Sequence, residues 1–122
     1  MENKISRKLR SLSKRADFEK LRASGHSFHV NSWLLVNVQQ TDSNEFRCGW
    51  TIPRQVGPAV IRNRFRRWGR EFLRKWLAKD GKSCDVNFVF KRKEPGFYKG
   101  LNHEEFDGAF EKMAIQLARR IK

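Results

Sequence analysis

Three stretches of the chain carry hydrophobic residues at every second position, the period of a β-strand with one buried face. The first runs from Phe28 to Gln40, the second from Phe46 to Ile52 and the third from Cys84 to Phe90. A polar segment, residues 41–44 with the sequence TDSN, separates the first two stretches and predicts a turn. We therefore expect the first two stretches to pair antiparallel, and the first to form either one strand or two.

Two further stretches carry the period of an α-helix. Ser13 is a candidate N-cap of a first helix from Lys14 to about Ala23, which we expect Gly25 to end in a left-handed turn. Pro58 predicts the first position of a second helix, and Gly81 predicts its end. The apolar residues of this second helix recur at steps of three and four and form one stripe: Ile61, Phe65, Trp68, Phe72 and Trp76.

A third helix is predicted near the C-terminus. Asn102 and Glu105 have the spacing of a capping box, and hydrophobic residues follow at helical spacing: Phe106, Phe110, Met113, Leu117 and Ile121. The order of elements is therefore α-β-β(-β)-α-β-α, an α+β fold with helices packed on a small mixed β-sheet. No linker or repeat divides the 122 residues, so we expect a single domain over residues 1–122, with residues 1–12 as a flexible basic arm.

The chain has 27 basic and 13 acidic residues, and its formal net charge is +14. Self-repulsion of this size destabilises a compact protein, and its usual counterpart is a polyanionic partner. Nucleic acid is the first candidate; an anionic membrane is the second, although no apolar run reaches the roughly 20 residues that span a bilayer. The N-terminus lacks the apolar core of a secretory signal, and nearby acidic residues argue against a transit peptide, so we expect a cytoplasmic protein.

Side chains that could carry catalysis are scattered along the chain. His26, His29 and His103 have no partner at the spacing of a catalytic triad or a metal site, so we interpret them as surface or structural residues. Cys48 and Cys84 each lie in a strand-like stretch, which favours buried free thiols over a metal site or a disulfide scaffold. The acidic residues at the start of the third helix complement its dipole. The sequence therefore predicts no protein active site and no metal or cofactor bound by the protein alone.

The second helix holds the strongest functional signal. Its segment AVIRNRFRRWGREFLRKW, residues 59–76, carries seven positive charges against the single acid Glu71. Arginine outnumbers lysine there, and the planar guanidinium group suits bidentate phosphate contacts. A solvated surface is the alternative, but the charges have almost no acidic partners at helical spacing. We therefore predict nucleic-acid contacts from the polar side of the helix, formed by Arg62, Asn63, Arg66, Arg67, Arg70 and Arg74.

The segment RCGWTIPRQVGPAVIRNRFRRWGREF, residues 47–72, resembles the signature region of the bacterial ribonuclease P protein subunit. The similarity extends to LRSLSKRADFEKLRASG before it, and to CDVNFVFKRKEPG and the C-terminal helix after it, so it spans nearly the whole chain. The resemblance implies a fold shared with a ribosomal protein domain, with a βαβ unit whose crossover is left-handed. In this chain that unit comprises the strand ending near Ile52, the helix from Pro58 and the strand from Cys84.

The resemblance also implies a division of labour with RNA. In the family a large catalytic RNA cleaves precursor tRNA at the 5′ end of the mature tRNA, using Mg²⁺ that is held mainly by RNA. The small protein, a monomer in a 1:1 complex, binds this RNA through its Arg-Asn-Arg region and holds the 5′ leader in a cleft. With the other polar residues of the helix included, the predicted RNA-binding set is Arg54, Arg62, Asn63, Arg64, Arg66, Arg67, Arg70 and Arg74.

The resemblance places Phe18 in the leader cleft, where its ring would stack on a base; packing in the core is the alternative. Arg22 stands where the family usually has a second aromatic residue, and Val36 where it often has another. We assign Phe18, Arg22, Trp33 and Val36 to the cleft, with Phe28 and Trp33 as a candidate source of the missing aromatic surface. Two other hypotheses stay open: a general structured-RNA-binding or ribosome-associated protein, and an independent nuclease.

Overall fold

The computed structural model describes residues 8–121, which form five strands and three α-helices. The strands are β1 (Arg10–Ser11), β2 (His26–His29), β3 (Leu34–Gln40), β4 (Phe46–Thr51) and β5 (Cys84–Phe90). The helices are α1 (Arg15–Ser24), α2 (Ala59–Asp80) and α3 (His103–Arg120), and 3₁₀ turns occupy Arg54–Val56 and Tyr98–Gly100. The α+β class and the mixed sheet are as the sequence predicts.

The strand order of the sheet is β1-β4-β5-β3-β2, which contradicts the predicted antiparallel pairing of β3 with β4. β5 lies between these two strands, antiparallel to β3 and parallel to β4. The composition of β5 explains its central place, because it has buried residues on both faces: Cys84, Val86, Asn87, Phe88 and Phe90. Such a strand buries the most surface in the middle of a sheet, where both of its backbone edges are also hydrogen-bonded.

Residues 30–33 reverse the chain between β2 and β3, which pair as an antiparallel hairpin. The Asn31 carboxamide oxygen accepts hydrogen bonds from the backbone N–H groups of Trp33 (2.9 Å) and Leu34 (2.8 Å). Local bonding by an asparagine side chain offers the backbone an alternative to a strand ladder. The first predicted stretch therefore forms two strands, which confirms the second of the two alternatives, one strand or two, that the sequence left open.

α2 and α3 pack against each other and cover one face of the sheet, where the hydrophobic core lies. Phe65 of α2 stacks on Phe106 of α3 with ring centroids 5.7 Å apart, and Phe106 stacks on Phe110 at 4.5 Å. The five predicted apolar residues of the last helix are all buried, and its capping box is present. Of the stripe predicted for α2, Phe65 and Trp76 are buried, whereas Ile61, Trp68 and Phe72 are only partly buried against the core. Leu73 and Leu77, which lie outside the predicted stripe, are buried as well.

The two ends of α1 differ from the prediction. Lys14, not Ser13, is the N-cap residue, and its side chain makes no capping hydrogen bond. Gly25 ends the helix in extended geometry (φ −84°, ψ −179°), so the predicted left-handed turn is wrong. Space is what requires glycine here, since a Cβ would lie 2.5 Å from the Leu21 carbonyl oxygen and 2.8 Å from that of Val38.

The N-terminal segment follows the edge of the sheet. β1 pairs parallel with β4, the Leu12 N–H donates to the Cys48 carbonyl oxygen (2.8 Å), and the Leu12 side chain is only 5% exposed. The predicted flexible arm therefore does not include residues 10–12. Residues 1–7 of that arm lie outside the described part of the chain.

Candidate nucleic-acid interface

The first turns of α2 hold two guanidinium groups in place. Pro58 is the N-cap residue, so the helix begins at Ala59, one residue later than predicted, and Arg62 Nε donates to the Gly57 carbonyl oxygen (3.1 Å). One turn further on, Arg66 Nη1 donates to the Asn63 carboxamide oxygen (2.7 Å). The two groups thus lie near a helix N-terminus, where unpaired backbone N–H groups and the helix dipole also attract phosphate.

Arg62, Arg66 and Arg70 follow one another at intervals of four residues, which brings like charges together along the helix. The pKa of Arg66 is lowered, first by partial burial and then by the charges of Arg62 and Arg70. Among residues 8–121, no carboxylate lies in ion-pairing distance of an arginine of α2. The helix therefore keeps an uncompensated row of positive charge, which a bound anion would stabilise.

The first half of α2 gathers predicted RNA-binding residues around a shallow cavity. Its lining comprises Asn63, Arg64, Arg67 and Val60, which is 66% exposed. Arg54 is also exposed, in the 3₁₀ turn just before the helix. We call the polar side of α2 the arginine surface, formed by Arg62, Asn63, Arg64, Arg66, Arg67, Arg70 and Arg74. Guanidinium and carboxamide groups are the side chains that commonly contact a nucleic-acid backbone.

The second half of α2 faces the N-terminal segment across another shallow cavity. Arg70 and Arg74 line it from the helix, and Lys8, Leu9 and Ser11 line it from the segment. The sequence indicates the two arginines as functional residues but gives no sign of Lys8 or Ser11. Only the pairing of β1 with β4 brings that segment beside α2.

Trp68 connects α2 to α3 beside the arginine surface. Its ring stacks on the imidazole of His103, with centroids 4.3 Å apart and planes 5° from parallel. The guanidinium carbon of Arg64 lies 5.9 Å from the Trp68 ring centroid, within the range of a cation–π contact. His103 Nε2 in turn lies 3.5 Å from a carboxylate oxygen of Asp107. His103 is therefore a stacking partner for the ring against which Arg64 rests.

A groove of about 450 Å³ lies beside α1, on the face of the sheet opposite to the core. Phe18 and Arg22, one helical turn apart, line it from α1, and the rest of the lining consists of Leu35, Asn37, Thr51, Asn87 and Val89. Phe18 lies directly over Gly49, where a Cβ would be 2.4 Å from the ring. Asn87 Nδ2 donates to Thr51 Oγ1 (2.9 Å). This α1 groove thus combines one aromatic ring and one cation with apolar and carboxamide groups.

Trp33 and Val36 do not line the α1 groove, which corrects their predicted placement. They are 5% and 0% exposed and belong to the core on the other face of the sheet. Phe28, paired with Val36 across the hairpin, is buried as well, so it does not supply the aromatic surface either. Successive side chains of a strand point to opposite faces. The same alternation that buries Val36 places its neighbours Leu35 and Asn37 in the groove.

Near the α1 groove, one arginine is paired with two carboxylates. Arg47 of β4 donates from Nε and Nη2 to the two carboxylate oxygens of Asp85 on β5, at 2.9 and 2.7 Å. Arg47 Nη1 also lies 3.7 Å from Asp17 of α1. The hydrogen bond that Arg47 donates to Asp85 is the main cause of the raised pKa of Arg47. This arginine therefore joins α1 to the sheet, whereas the arginines of α2 have no carboxylate partner in the described part of the chain.

Cys48 and Cys84 are buried free thiols, as predicted. Burial raises the pKa of Cys48 to about 12 and raises that of Cys84 as well, so both thiols are neutral at physiological pH. Within residues 8–121, no three His, Cys, Asp or Glu side chains gather closely enough to hold a metal ion. No helix in the same part of the chain has the length and apolar character needed to cross a membrane.

Comparison with known proteins identifies the family. A sequence model of the family Ribonuclease P matches residues 6–116. The chain belongs to the ribonuclease P family. A ribonuclease P protein component of Desulfosudis oleivorans is 37% identical over 84 residues, which make up 67% of each chain. A protein of the same name in Chloroflexus aurantiacus is 35% identical over 77 residues, which span 63% of this chain but only 56% of that relative.

Solved ribonuclease P proteins have the same fold. The RNase P protein from Thermotoga maritima superposes with a TM-score of 0.73 at 25% identity, over 92% of this chain and 97% of its own. The RNase P protein of Staphylococcus aureus superposes with a TM-score of 0.75 at 21% identity, over 92% of this chain and 97% of its own. These similarities confirm the fold class that the sequence and its resemblance predict.

Proposed function

We propose that this chain is the protein subunit of a ribonuclease P ribonucleoprotein, an endoribonuclease that removes the 5′ leader of precursor tRNA. An RNA subunit and its Mg²⁺ carry out the cleavage, and one copy of the protein binds one RNA in the cytoplasm. The observation that carries the proposal is the arginine surface, which has no carboxylate partner among the described residues, 8–121, and belongs to a chain of this family. A surface of this charge binds polyanions by releasing their condensed counterions.

The arginine surface is the proposed site for the catalytic RNA. Its guanidinium groups bind phosphate oxygens in a bidentate manner, and the first of them lie at the helix N-terminus, which itself favours phosphate. Each phosphate that the protein neutralises should steepen the decrease of log affinity with log salt concentration by about 0.7 to 0.9. Val60, exposed among these cations, lies where the sugars of a bound backbone would pass.

The α1 groove is the proposed site for the single-stranded leader. Phe18 offers a ring for base stacking, which contributes roughly 1–3 kcal/mol with little preference among bases. Arg22 lies one turn away and suits a backbone phosphate. Asn37 of β3 lies directly opposite Asn87 of β5, whose carboxamide is hydrogen-bonded to Thr51, so the Asn37 carboxamide is the one available to a base edge. A neutral floor with one ring and one cation fits a single strand better than a duplex.

Reconstitution tests the proposal. The purified protein is mixed with precursor tRNA and the ribonuclease P RNA of Desulfosudis oleivorans, at a Mg²⁺ concentration too low for that RNA to cleave alone. We expect correct 5′ cleavage only when the protein is present, because the protein lowers the need for Mg²⁺. Arg67→Ala should lose most of the stimulation. Lys75→Ala, an exposed cation of α2 that lines neither cavity, should retain it.

Two outcomes would replace the proposal by the other hypotheses. Binding of many structured RNAs with similar affinity, without stimulated cleavage even by the cognate RNA, would indicate a general RNA-binding protein. Cleavage of precursor tRNA by the protein without any RNA subunit would indicate an independent nuclease.

A further inference from the structure

We propose that the cavity between the N-terminal segment and α2 binds one phosphate group of the RNA backbone, with Lys8, Ser11, Arg70 and Arg74 as its ligands. This β1–α2 pocket is separate from the cavity at Asn63, Arg64 and Arg67. The proposal rests on the proposed function, since the phosphate belongs to the catalytic RNA. It adds a binding site that the helix alone does not contain.

The position of the N-terminal segment is set by the fold. β1 lies at the edge of the sheet, with Ser11 directly opposite Cys48 of β4. Leu12 is buried and its N–H is bonded to the sheet, while Leu9 packs against the core. Leu9, which is partly buried, and Leu12, which is buried, therefore hold this segment in place on either side of Ser11. A pocket held on both sides binds an anion with less loss of entropy than a free basic arm does.

The lining of the β1–α2 pocket has the chemistry of a phosphate site. Two guanidinium groups and one ammonium group supply charge, and the Ser11 hydroxyl supplies a neutral donor. Among residues 8–121, no carboxylate lines the pocket. Arg10, a neighbouring cation of the same segment, does not line the pocket and is paired with Glu45, with Arg10 Nε 3.3 Å from the carboxylate. Arg70 belongs to the row of like charges that also includes Arg66, and a bound phosphate would relieve that repulsion.

The two cavities of α2 suit different phosphates of one RNA. Asn63 and Arg67 lie seven residues before Arg70 and Arg74, a separation of about 10 Å along the helix axis at the usual rise per residue. The RNA would therefore run along α2 toward the edge of the sheet. Contacts at both cavities would fix its direction, which a single cavity does not.

A double-mutant cycle tests the pocket. Affinity for the ribonuclease P RNA of Desulfosudis oleivorans is measured for Lys8→Ala, Arg74→Ala and the double variant, at several salt concentrations. If both side chains hold one phosphate, each single change should weaken binding about tenfold, the size expected for a hydrogen bond between charged groups. The double variant should then lose clearly less than the product of the two losses. Lys8→Arg keeps the positive charge and should therefore retain most of the affinity. A purely structural role of Lys8 would not predict this rescue.

Two control variants separate the pocket from general loss of charge. Arg10→Ala removes a cation of the same segment outside the pocket, and Lys75→Ala removes the neighbour of Arg74; both should bind nearly as the unmodified protein does. Unchanged affinity in Lys8→Ala, or losses that multiply in the double variant, would overturn the shared site. If Arg67→Ala still weakens binding in that case, the proposed function stands and only the pocket fails. If Arg67→Ala has no effect either, the arginine surface itself is refuted.

Discussion

Gly69 lies in the middle of α2, at a position where the helix touches the sheet. A Cβ at this residue would lie 2.1 Å from Cη2 of Trp50, closer than side chains approach one another. Helix propensity favours alanine over glycine by about 1 kcal/mol, but overpacking of a core costs roughly 1–3 kcal/mol. We therefore expect Gly69→Ala to lower the free energy of unfolding, measured by urea denaturation, by about 1–2 kcal/mol.

Gly108 of α3 is the matched control. It is exposed in a helix, and no atom of the described residues lies within 4 Å of the place where its Cβ would be. Gly108→Ala should therefore raise the free energy of unfolding by up to about 1 kcal/mol. If Gly69→Ala and Gly108→Ala were stabilised alike, the contact with Trp50 would not be the reason why position 69 is a glycine. From the sequence alone, Gly69 is expected only to weaken the helix, because glycine has a low helix propensity. The sequence does not show the contact with Trp50, because that residue lies in a strand before the helix.

The buried thiols predict an alkaline loss of stability. In the unfolded chain a cysteine ionises near its ordinary pKa of 9.0, whereas burial raises the pKa of Cys48 to about 12 in the folded protein. The thiol therefore contributes its full stabilisation below pH 9, and this contribution is lost as the pH rises toward 12. Each such thiol changes the free energy of unfolding by up to about 1.4 kcal/mol per pH unit in that window.

Urea denaturation of the unmodified protein and of Cys48→Ala, repeated between neutral pH and about pH 11, measures this effect. The variant should be less stable near neutral pH, because it loses buried contacts, but its stability should fall less steeply above pH 9. Parallel curves for the two proteins would show that Cys48 ionises normally in the folded state.

The limits of several elements follow from local patterns. Alternation gives Cys84–Phe90 as the third stretch, and the capping box gives the start of α3, and the structure confirms both. The neighbours of each strand do not follow in this way. Alternation decides which face of a strand is buried, but it does not specify which other strand lies beside it. For that reason the sequence suggests a hairpin of β3 and β4, although β5 lies between them.

The helix N-termini provide a test at the scale of the element. Asn102 Oδ1 accepts a hydrogen bond from the Glu105 N–H (2.8 Å), and Glu105 Oε1 accepts one from the Asn102 N–H (3.2 Å). Asn102→Ala should therefore lower the free energy of unfolding by about 1 kcal/mol, and Asn102→Asp should restore it. Ser13→Ala should have little effect, because Lys14 is the N-cap residue of α1. An equal loss in both alanine variants would contradict the assigned caps.

Over the whole molecule, the arginine surface and the α1 groove belong to different layers. α2 lies on the core face of the sheet, whereas the groove uses the alternate residues of the same strands, such as Leu35 and Asn37. The sequence indicates the arginine surface almost completely, because its residues lie on one helix. The groove is assembled from one helix and three strands, so the sequence and its resemblance indicate Phe18 and Arg22 but not the strand residues that complete it.

Because the two surfaces lie in different layers, we expect the two proposed RNA ligands to bind independently. In the reconstituted complex, Phe18→Leu should weaken the binding of precursor tRNA relative to mature tRNA, since leucine keeps an apolar side chain over Gly49 but loses the stacking ring. Loss of one stacked base corresponds to roughly 1–3 kcal/mol, which is about a 5- to 150-fold loss of affinity. The affinity of the same variant for the catalytic RNA alone should not change. Arg67→Ala should show the opposite pattern, with weaker binding of the catalytic RNA.

Affinity measurements with the catalytic RNA, precursor tRNA and mature tRNA check both halves of this prediction. Lys20→Ala, an exposed cation of α1 that does not line the groove, is the control and should behave as the unmodified protein in every case. If Phe18→Leu weakened the two RNA ligands equally, the groove and the arginine surface would form one continuous site rather than two. If it weakened precursor and mature tRNA equally, the groove would hold a part of the tRNA other than the leader. The difference between precursor and mature tRNA therefore decides what the groove binds.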